Sequence, residues 1–130
     1  MHKKFLVAAS FFGGLAVALG AFGAHGLESI TDDEKILHGF QTGVQYQMVH
    51  ALALLVIGIL FEKFPDSWLK WAGNSFIAGI ILFSGSLYML TFLKIQDSSF
   101  VRFIGPVTPL GGLFFISGWL FLLLAVLKKK

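Results

Sequence analysis

Four stretches of the chain carry no Asp, Glu, Lys or Arg: residues 5–24, 45–61, 71–93 and 110–127. Each is about as long as a helix needs to cross a ~30 Å hydrocarbon layer. Together they predict an all-α fold, a four-transmembrane-helix bundle in which residues 1–130 form one integral membrane domain. Composition agrees. Hydrophobic residues make up 56% of the chain, 15 glycines add to them, and charged residues are only 13%. Soluble domains carry about 25% charge, and a small soluble domain has a large surface to cover. This composition argues against disorder, a disulfide framework and a soluble enzyme domain. With no cysteine in the sequence, thiolate chemistry and cysteine-ligated metal centres are excluded.

Basic residues set the expected orientation. Lys3, Lys4, Lys63, Lys70, Lys128, Lys129 and Lys130 fall on one side, and Lys35, Lys94 and Arg102 on the other. Seven against three places both termini in the cytoplasm, with Trp68 and Trp71 at the inner interface. The same distribution leaves no basic stripe of the kind that binds nucleic acid. The span-one apolar run exceeds the ~7–15 residues of a signal peptide core, so a retained helix is expected.

The faces of the spans predict how they meet. In span one Ala9, Gly13, Ala16, Gly20 and Gly23 recur at spacings of four and three, while Phe11, Phe12, Leu15, Leu19 and Phe22 form a bulky stripe. Helices in lipid associate by close packing rather than by apolar burial, so the small stripe should face a neighbour and the bulky one lipid or a large groove. In span three Ala72, Ser75, Gly79 and Ser86 share one face, and Ser84, Tyr88 and Thr91 another. Gly111 and Gly118 share a face of span four. Gly13, Gly20, Gly79, Gly111 and Gly118 are thus the expected packing glycines. Before span two, Thr31 to Glu34 reads as a capping box with Thr31 as N-cap. Residues 32–43 then form a surface helix or run directly into the span, with Gly39 and Gly43 permitting a bend. Pro106 and Pro109 should hold the chain extended ahead of span four.

Chemistry-bearing residues are few. His50 lies inside span two, where an ionisable side chain is expensive and marks either a site or an interhelical hydrogen bond. His25 ends span one at the opposite interface from the amino terminus. Tyr46, Gln47, His50, Ser84, Ser86, Tyr88 and Thr91, with the start of span four, all converge on the outer leaflet if the termini lie inside. His25, Gln47, His50, Ser84, Ser86 and Tyr88 are the candidate ligand-binding set, read either as a pocket for a lipid headgroup or small ligand or as a hydrogen-bonded plug. No nucleophile–base pair, phosphate loop, metal motif or mid-span carboxylate relay is present. No cofactor is implied, and nothing specifies the pocket that haem ligation by His25 and His50 would need.

The signature segments are Gly20-Ala21-Phe22-Gly23-Ala24-His25-Gly26-Leu27, Tyr46-Gln47 with His50, Phe83-Ser84-Gly85-Ser86-Leu87-Tyr88, and Thr108-Pro109-Leu110-Gly111-Gly112 with Gly118-Trp119. In this order they resemble the "domain of unknown function 423" family of small bacterial multi-pass membrane proteins, itself similar to the transmembrane protein 256 group. The resemblance covers nearly the whole chain. It implies a bacterial plasma-membrane protein of four helices and supplies no mechanism. The expected function is non-enzymatic: binding a lipid or small ligand, or supporting a membrane assembly, at the outer leaflet. A small oligomeric channel or transporter is the alternative. Membrane lipids and a second copy of the chain are the expected partners.

Overall fold

The computed structural model describes residues 1–129; Lys130, counted above among the basic residues, lies outside them. It is helical, with α1 at Lys3–His25, α2 at Glu34–Lys63, α3 at Ser67–Gly79, α4 at Gly85–Ile95, a short α5 at Val101–Ile104 and α6 at Val107–Lys128. A 3-10 turn, Leu27–Ser29, follows α1, and a π-helical segment, Ile80–Ser84, joins α3 to α4. Four helical runs are long and apolar enough to cross a membrane: Lys3–Ser29, Glu34–Lys63, Ser67–Ile95 and Val101–Lys128.

Each run extends beyond its charge-free stretch, because local caps rather than the edge of the apolar pattern end the helices. His2 caps α1, its Nδ1 accepting from the Phe5 amide at 3.4 Å. The N-cap of α2 is Asp33, which accepts from the Lys35 amide at 3.0 Å. Thr31, expected in that role, instead accepts from the Asp33 amide at 3.2 Å and shapes the turn before the helix. From there α2 runs unbroken to Lys63 through Gly39 and Gly43. It stops at Phe64, whose successor Pro65 disfavours helical backbone at the residue before it. Asp66 caps α3 through the Trp68 amide at 2.7 Å. The stretch before span four is not extended as expected. It holds α5, and Pro109 sits inside the first turn of α6, where the amide that proline lacks would have had no helical partner anyway.

Helices α1 and α2 run antiparallel. The His2 amide donates to the Gly58 carbonyl at one end, and a Cβ on Gly23 would come within 3.0 Å of the Phe40 ring at the other. The third span, α3 and α4 together, runs antiparallel to α6: Lys128 pairs with Asp66, the N-cap of α3, at 3.1 Å at one end, and Ser86 of α4 bonds to Thr108 at the other. Both termini and the α2–α3 connector therefore share one end of the bundle, and the α1–α2 and α4–α6 connectors share the other. Between them lies a core of Phe5, Ala9, Leu54, Ile57, Leu69, Ala72, Phe76, Ile80, Phe115 and Ala125.

On α1 the small residues Ala9, Ala16 and Gly23 are buried. The bulky stripe is split: Phe11 is 61% exposed, Phe12 packs against the core, and Phe22 meets the rings of Phe40 and Phe92. The packing glycines are unequal. A Cβ on Gly13 would be an ordinary 3.9 Å from that of Ala51, and one on Gly20 a tighter 3.4 Å from Val44. On Gly79 it would run into the Phe115 ring, on Gly118 it would lie 2.5 Å from the Phe76 ring, and on Gly111 it would strike the backbone of Phe83.

Span three departs from its expected helical wheel. The π segment carries the chain round a wider turn, with the Gly85 amide reaching back to the Ile80 carbonyl. Ser75, Gly79 and Ser84 are all buried despite a spacing of five between the last two. The two faces read from a regular helix thus merge: Ser84, Ser86 and Thr91 are all buried.

Candidate functional site

The polar side chains of the interior form three short chains of hydrogen bonds. Each bridges helices that apolar contact alone would not hold in register.

The first begins on α2. Gln47 and Gly43 are one turn apart and face α4, while Ser84 and Tyr88, also four apart, face α2 in return. The Tyr88 hydroxyl donates to Gln47 Oε1 at 2.6 Å, and Gln47 Nε2 donates to the Phe12 carbonyl of α1 at 2.8 Å. Ser84 Oγ donates to the Gly43 carbonyl at 2.6 Å. Gly43 is required here, since a Cβ would lie 2.9 Å from the Tyr88 ring. Gln47 is 1% exposed and both ends of its amide are engaged, so it pins α1, α2 and α4 together.

The second chain centres on His50, one turn beyond Tyr46. His50 Nδ1 lies 2.7 Å from the Tyr46 carbonyl, and Trp119 Nε1 of α6 lies 3.0 Å from His50 Nε2. A carbonyl only accepts and an indole N–H only donates. The imidazole is therefore neutral, with its proton on Nδ1 and its Nε2 lone pair occupied by Trp119. Aromatic rings enclose it. Phe115 stacks on the imidazole at 3.7 Å and 9°, Phe76 meets it edge-on at 5.2 Å, and Trp119 does so at 5.8 Å.

The third chain is short. Ser86 Oγ shares a 2.5 Å hydrogen bond with Thr108 Oγ1 and also reaches the Phe83 carbonyl at 2.8 Å, tying α4 to the start of α6.

Gln47, Ser84 and Tyr88 thus meet directly, His50 sits one turn along α2 from Gln47, and Ser86 belongs to a separate pair. His25 is not brought to them. It is exposed at the end of α1, with Nδ1 3.2 Å from the Ala21 carbonyl of its own helix. Sequence reasoning did not assign Trp119, Phe115 or Thr108 to the site. Trp119 offered a signal, because an indole N–H within an apolar span needs an acceptor, and His50 is a side chain able to supply one.

Among the described residues, every buried side-chain nitrogen and oxygen has a hydrogen-bond partner, and no group of three or more His, Asp or Glu gathers in metal-binding range. The larger openings lie at the ends of the bundle. A cleft of about 610 Å³ is bordered by Glu28, Glu34, Lys35, Leu37, His38 and Gln41, and two smaller ones flank Asp66.

The family described as "Protein of unknown function (DUF423)" matches residues 19–112. The chain is similar to the UPF0382 membrane protein YwdK of Bacillus subtilis, with 44% identity over 127 residues, 97% of this chain and 98% of that protein. It is similar also to the UPF0382 inner membrane protein YgdD of Escherichia coli, with 38% identity over 131 residues, 100% of this chain and 95% of that one. A UPF0382 membrane protein of Haemophilus influenzae is 38% identical over 130 residues, 100% of this chain and 98% of its own. No solved structure matches the chain. A full-length match to named membrane proteins, four helices able to span a bilayer and the ordered signature segments agree: the chain belongs to the DUF423 family of bacterial membrane proteins.

Proposed function

We propose that this protein is a non-enzymatic component of the plasma membrane, with both termini in the cytoplasm, that works as a rigid support for a membrane assembly. One observation carries the reading: the interior polar groups saturate one another. Gln47, His50, Ser84, Ser86 and Tyr88 have partners on neighbouring turns or helices, so they act as a plug that locks the bundle rather than as a pocket waiting for a ligand. What remains to meet a partner is the apolar outside of the bundle, where Val7, Phe11 and Val17 of α1, Leu52 and Ile59 of α2, and Leu113 and Ile116 of α6 are exposed. The partner class is another membrane helix, a second copy of this chain included.

The orientation rests on the seven-to-three lysine and arginine asymmetry and on Trp68 and Trp71 near the lysine-rich end. The channel alternative is disfavoured within a single chain, whose centre is filled by Phe5, Phe76, Phe115, Leu54 and Ile57.

His50→Ala separates plug from pocket. The plug reading expects a loss of roughly 1–2 kcal/mol of stability in detergent, and unchanged stability would refute it. The assembly reading expects a homo-oligomer, or a co-purifying membrane partner, on native mass measurement in mild detergent. Monomer alone across a wide concentration range, with flux in protein-loaded liposomes above an empty control, would replace it with transport.

A further inference from the structure

The lysine-rich end of the bundle has a feature that its role in orientation does not use. Two helices begin there, α1 and α3, and neither has an acidic residue in its first turn. They have lysines instead, Lys3 and Lys4 on α1 and Lys70 on α3. Cations sit unfavourably at the positive end of a helix, and the one acid at these helix starts is Asp66, the N-cap of α3, so this corner carries an excess of positive charge.

The nearby acids are committed. Asp66 Oδ1 accepts from the Trp68 amide at 2.7 Å, and Oδ2 pairs with Lys128 at 3.1 Å. Glu62 pairs with the terminal amine at 3.5 Å. Among the described residues, Lys70 and Lys129 have no carboxylate within ion-pair distance. Lys4 Nζ donates to Asn74 Oδ1 of α3 at 2.8 Å, and burial, Lys4 and Lys70, in that order, hold the His2 imidazole below its ordinary pKa. The His2 ring in turn meets Phe61 edge-on at 4.8 Å.

Phe61 is also one wall of a cleft of about 230 Å³ whose other walls are Pro65, Asp66, Ser67 and Lys70. Across Asp66 lies a second cleft, of about 290 Å³, lined by Phe64, Ala125, Lys128 and Lys129. Lys129 lies over the Phe64 ring at 5.6 Å. Trp68 and Trp71 form an edge-on pair at 5.1 Å nearby, with Trp71 53% exposed. Indole rings at the surface of a spanning helix sit at headgroup depth.

We propose that the cleft between Phe61 and Lys70 holds the phosphate of an anionic phospholipid, with Lys70 as its charge partner, the Ser67 hydroxyl as a hydrogen-bond donor and Phe61 against its glycerol backbone. A zwitterionic phospholipid fits less well, because its own ammonium would be brought to a corner already rich in lysine. The inference concerns one end of the bundle. It holds whichever way the chain crosses the membrane and whether or not the protein assembles.

Native mass spectrometry of the intact protein released from detergent, with equal added phosphatidylglycerol or phosphatidylcholine, tests it. Phosphatidylglycerol is expected to bind at least fivefold more. A basic residue near an anionic surface contributes ~1 kcal/mol, about fivefold, so Lys70→Gln should lower retention by about that factor. Lys70→Arg should restore it, and Lys94→Gln, at the other end, should leave it unchanged. Lys70 is exposed, and a thermal melt of each variant checks that the fold is intact. Equal retention of the two lipids would overturn the proposal. So would an unaltered phosphatidylglycerol signal in Lys70→Gln, or loss of signal in Lys70→Arg with an intact fold. Displacement of the lipid by millimolar glycerol phosphate would also overturn it, by assigning the cleft to a soluble phosphate.

Discussion

Gly111→Ala tests the tightest backbone approach in the bundle. The new Cβ would run into the Phe83 amide nitrogen and lie 2.7 Å from the Phe83 Cα and 2.8 Å from the Leu82 carbonyl carbon. Carbon atoms pack at ~3.5–4.0 Å, so α6 must retreat by roughly 1 Å. The obstructing atoms are main chain in the π segment, and no rotamer change removes them. Overpacking of this kind costs ~1–3 kcal/mol. The retreat also stretches the 3.0 Å Trp119–His50 bond and the 2.5 Å Ser86–Thr108 bond, each interhelical bond contributing ~0.6 kcal/mol. Alanine regains ~0.5–1 kcal/mol of backbone entropy relative to glycine. The balance is a loss of about 1–3 kcal/mol. It is read as a shift in unfolding midpoint on titrating a mild-detergent sample with a denaturing one. Gly85→Ala is the control, because a Cβ there meets nothing within 4 Å, and it should match the wild type or exceed it. If Gly111→Ala unfolds at the same midpoint as Gly85→Ala, the close approach of α6 to the π segment is not what holds these helices together.

Other outcomes follow from the same contacts. Trp119→Phe should cost ~0.6–1.7 kcal/mol, and almost nothing more when His50 is already alanine; additive losses in that double-mutant cycle would dissolve the pair. Tyr88→Phe removes the donor to Gln47 Oε1 and should destabilise by a similar amount, with Tyr46→Phe, whose ring is 45% exposed, as the neutral comparison. Orientation is tested by single cysteines: one at Ser29 should react with an impermeant reagent in intact cells and one at Ser67 should not, and the reverse would invert the topology. The Trp68 amide and then Lys128 hold the Asp66 carboxyl below its ordinary value. Its contribution is therefore complete above the unfolded carboxylate range and lost as pH falls through the shifted value. Acidification should loosen the carboxy-terminal end in the wild type, measured by amide exchange near Lys128, and change Asp66→Asn less.

The four spans were legible because a bilayer demands long uncharged runs, and such runs are a one-dimensional property. The small-residue face of α1 was legible for the same reason, its spacing matching an ordinary helix. Span three was not, because its pattern was projected on an unbroken helix and nothing in Ile80 to Ser84 marks a wider turn. Thr31 looked like a cap because Glu34 follows at the right distance, yet Asp33 lies closer to the first helical amide and takes the position. His50 was singled out for its cost in lipid, but its partner Trp119 lies 69 positions away. Pairing across helices depends on their rotation about their axes, which composition does not encode. His25 was joined to the site by depth alone, and depth does not say which way an interfacial side chain turns.

The π segment makes the third span a shaft in two pieces. Ser75, Gly79, Ser84 and Tyr88 are spaced four, five and four apart, and only a wide turn keeps the second pair in phase with the first. An α-helix advances about 100° per residue. Closing Ile80–Ser84 as an ordinary helix with all five residues kept would swing everything beyond it by about that angle. Ser84 and Tyr88 would then turn from Gly43 and Gln47 toward lipid, and Gly111 would meet side chains instead of bare backbone. Removing one residue between Gly79 and Ser84 would instead leave spacings of four throughout, which an ordinary helix keeps on one face, so the wide turn is the device by which this span carries one residue more than its two faces need.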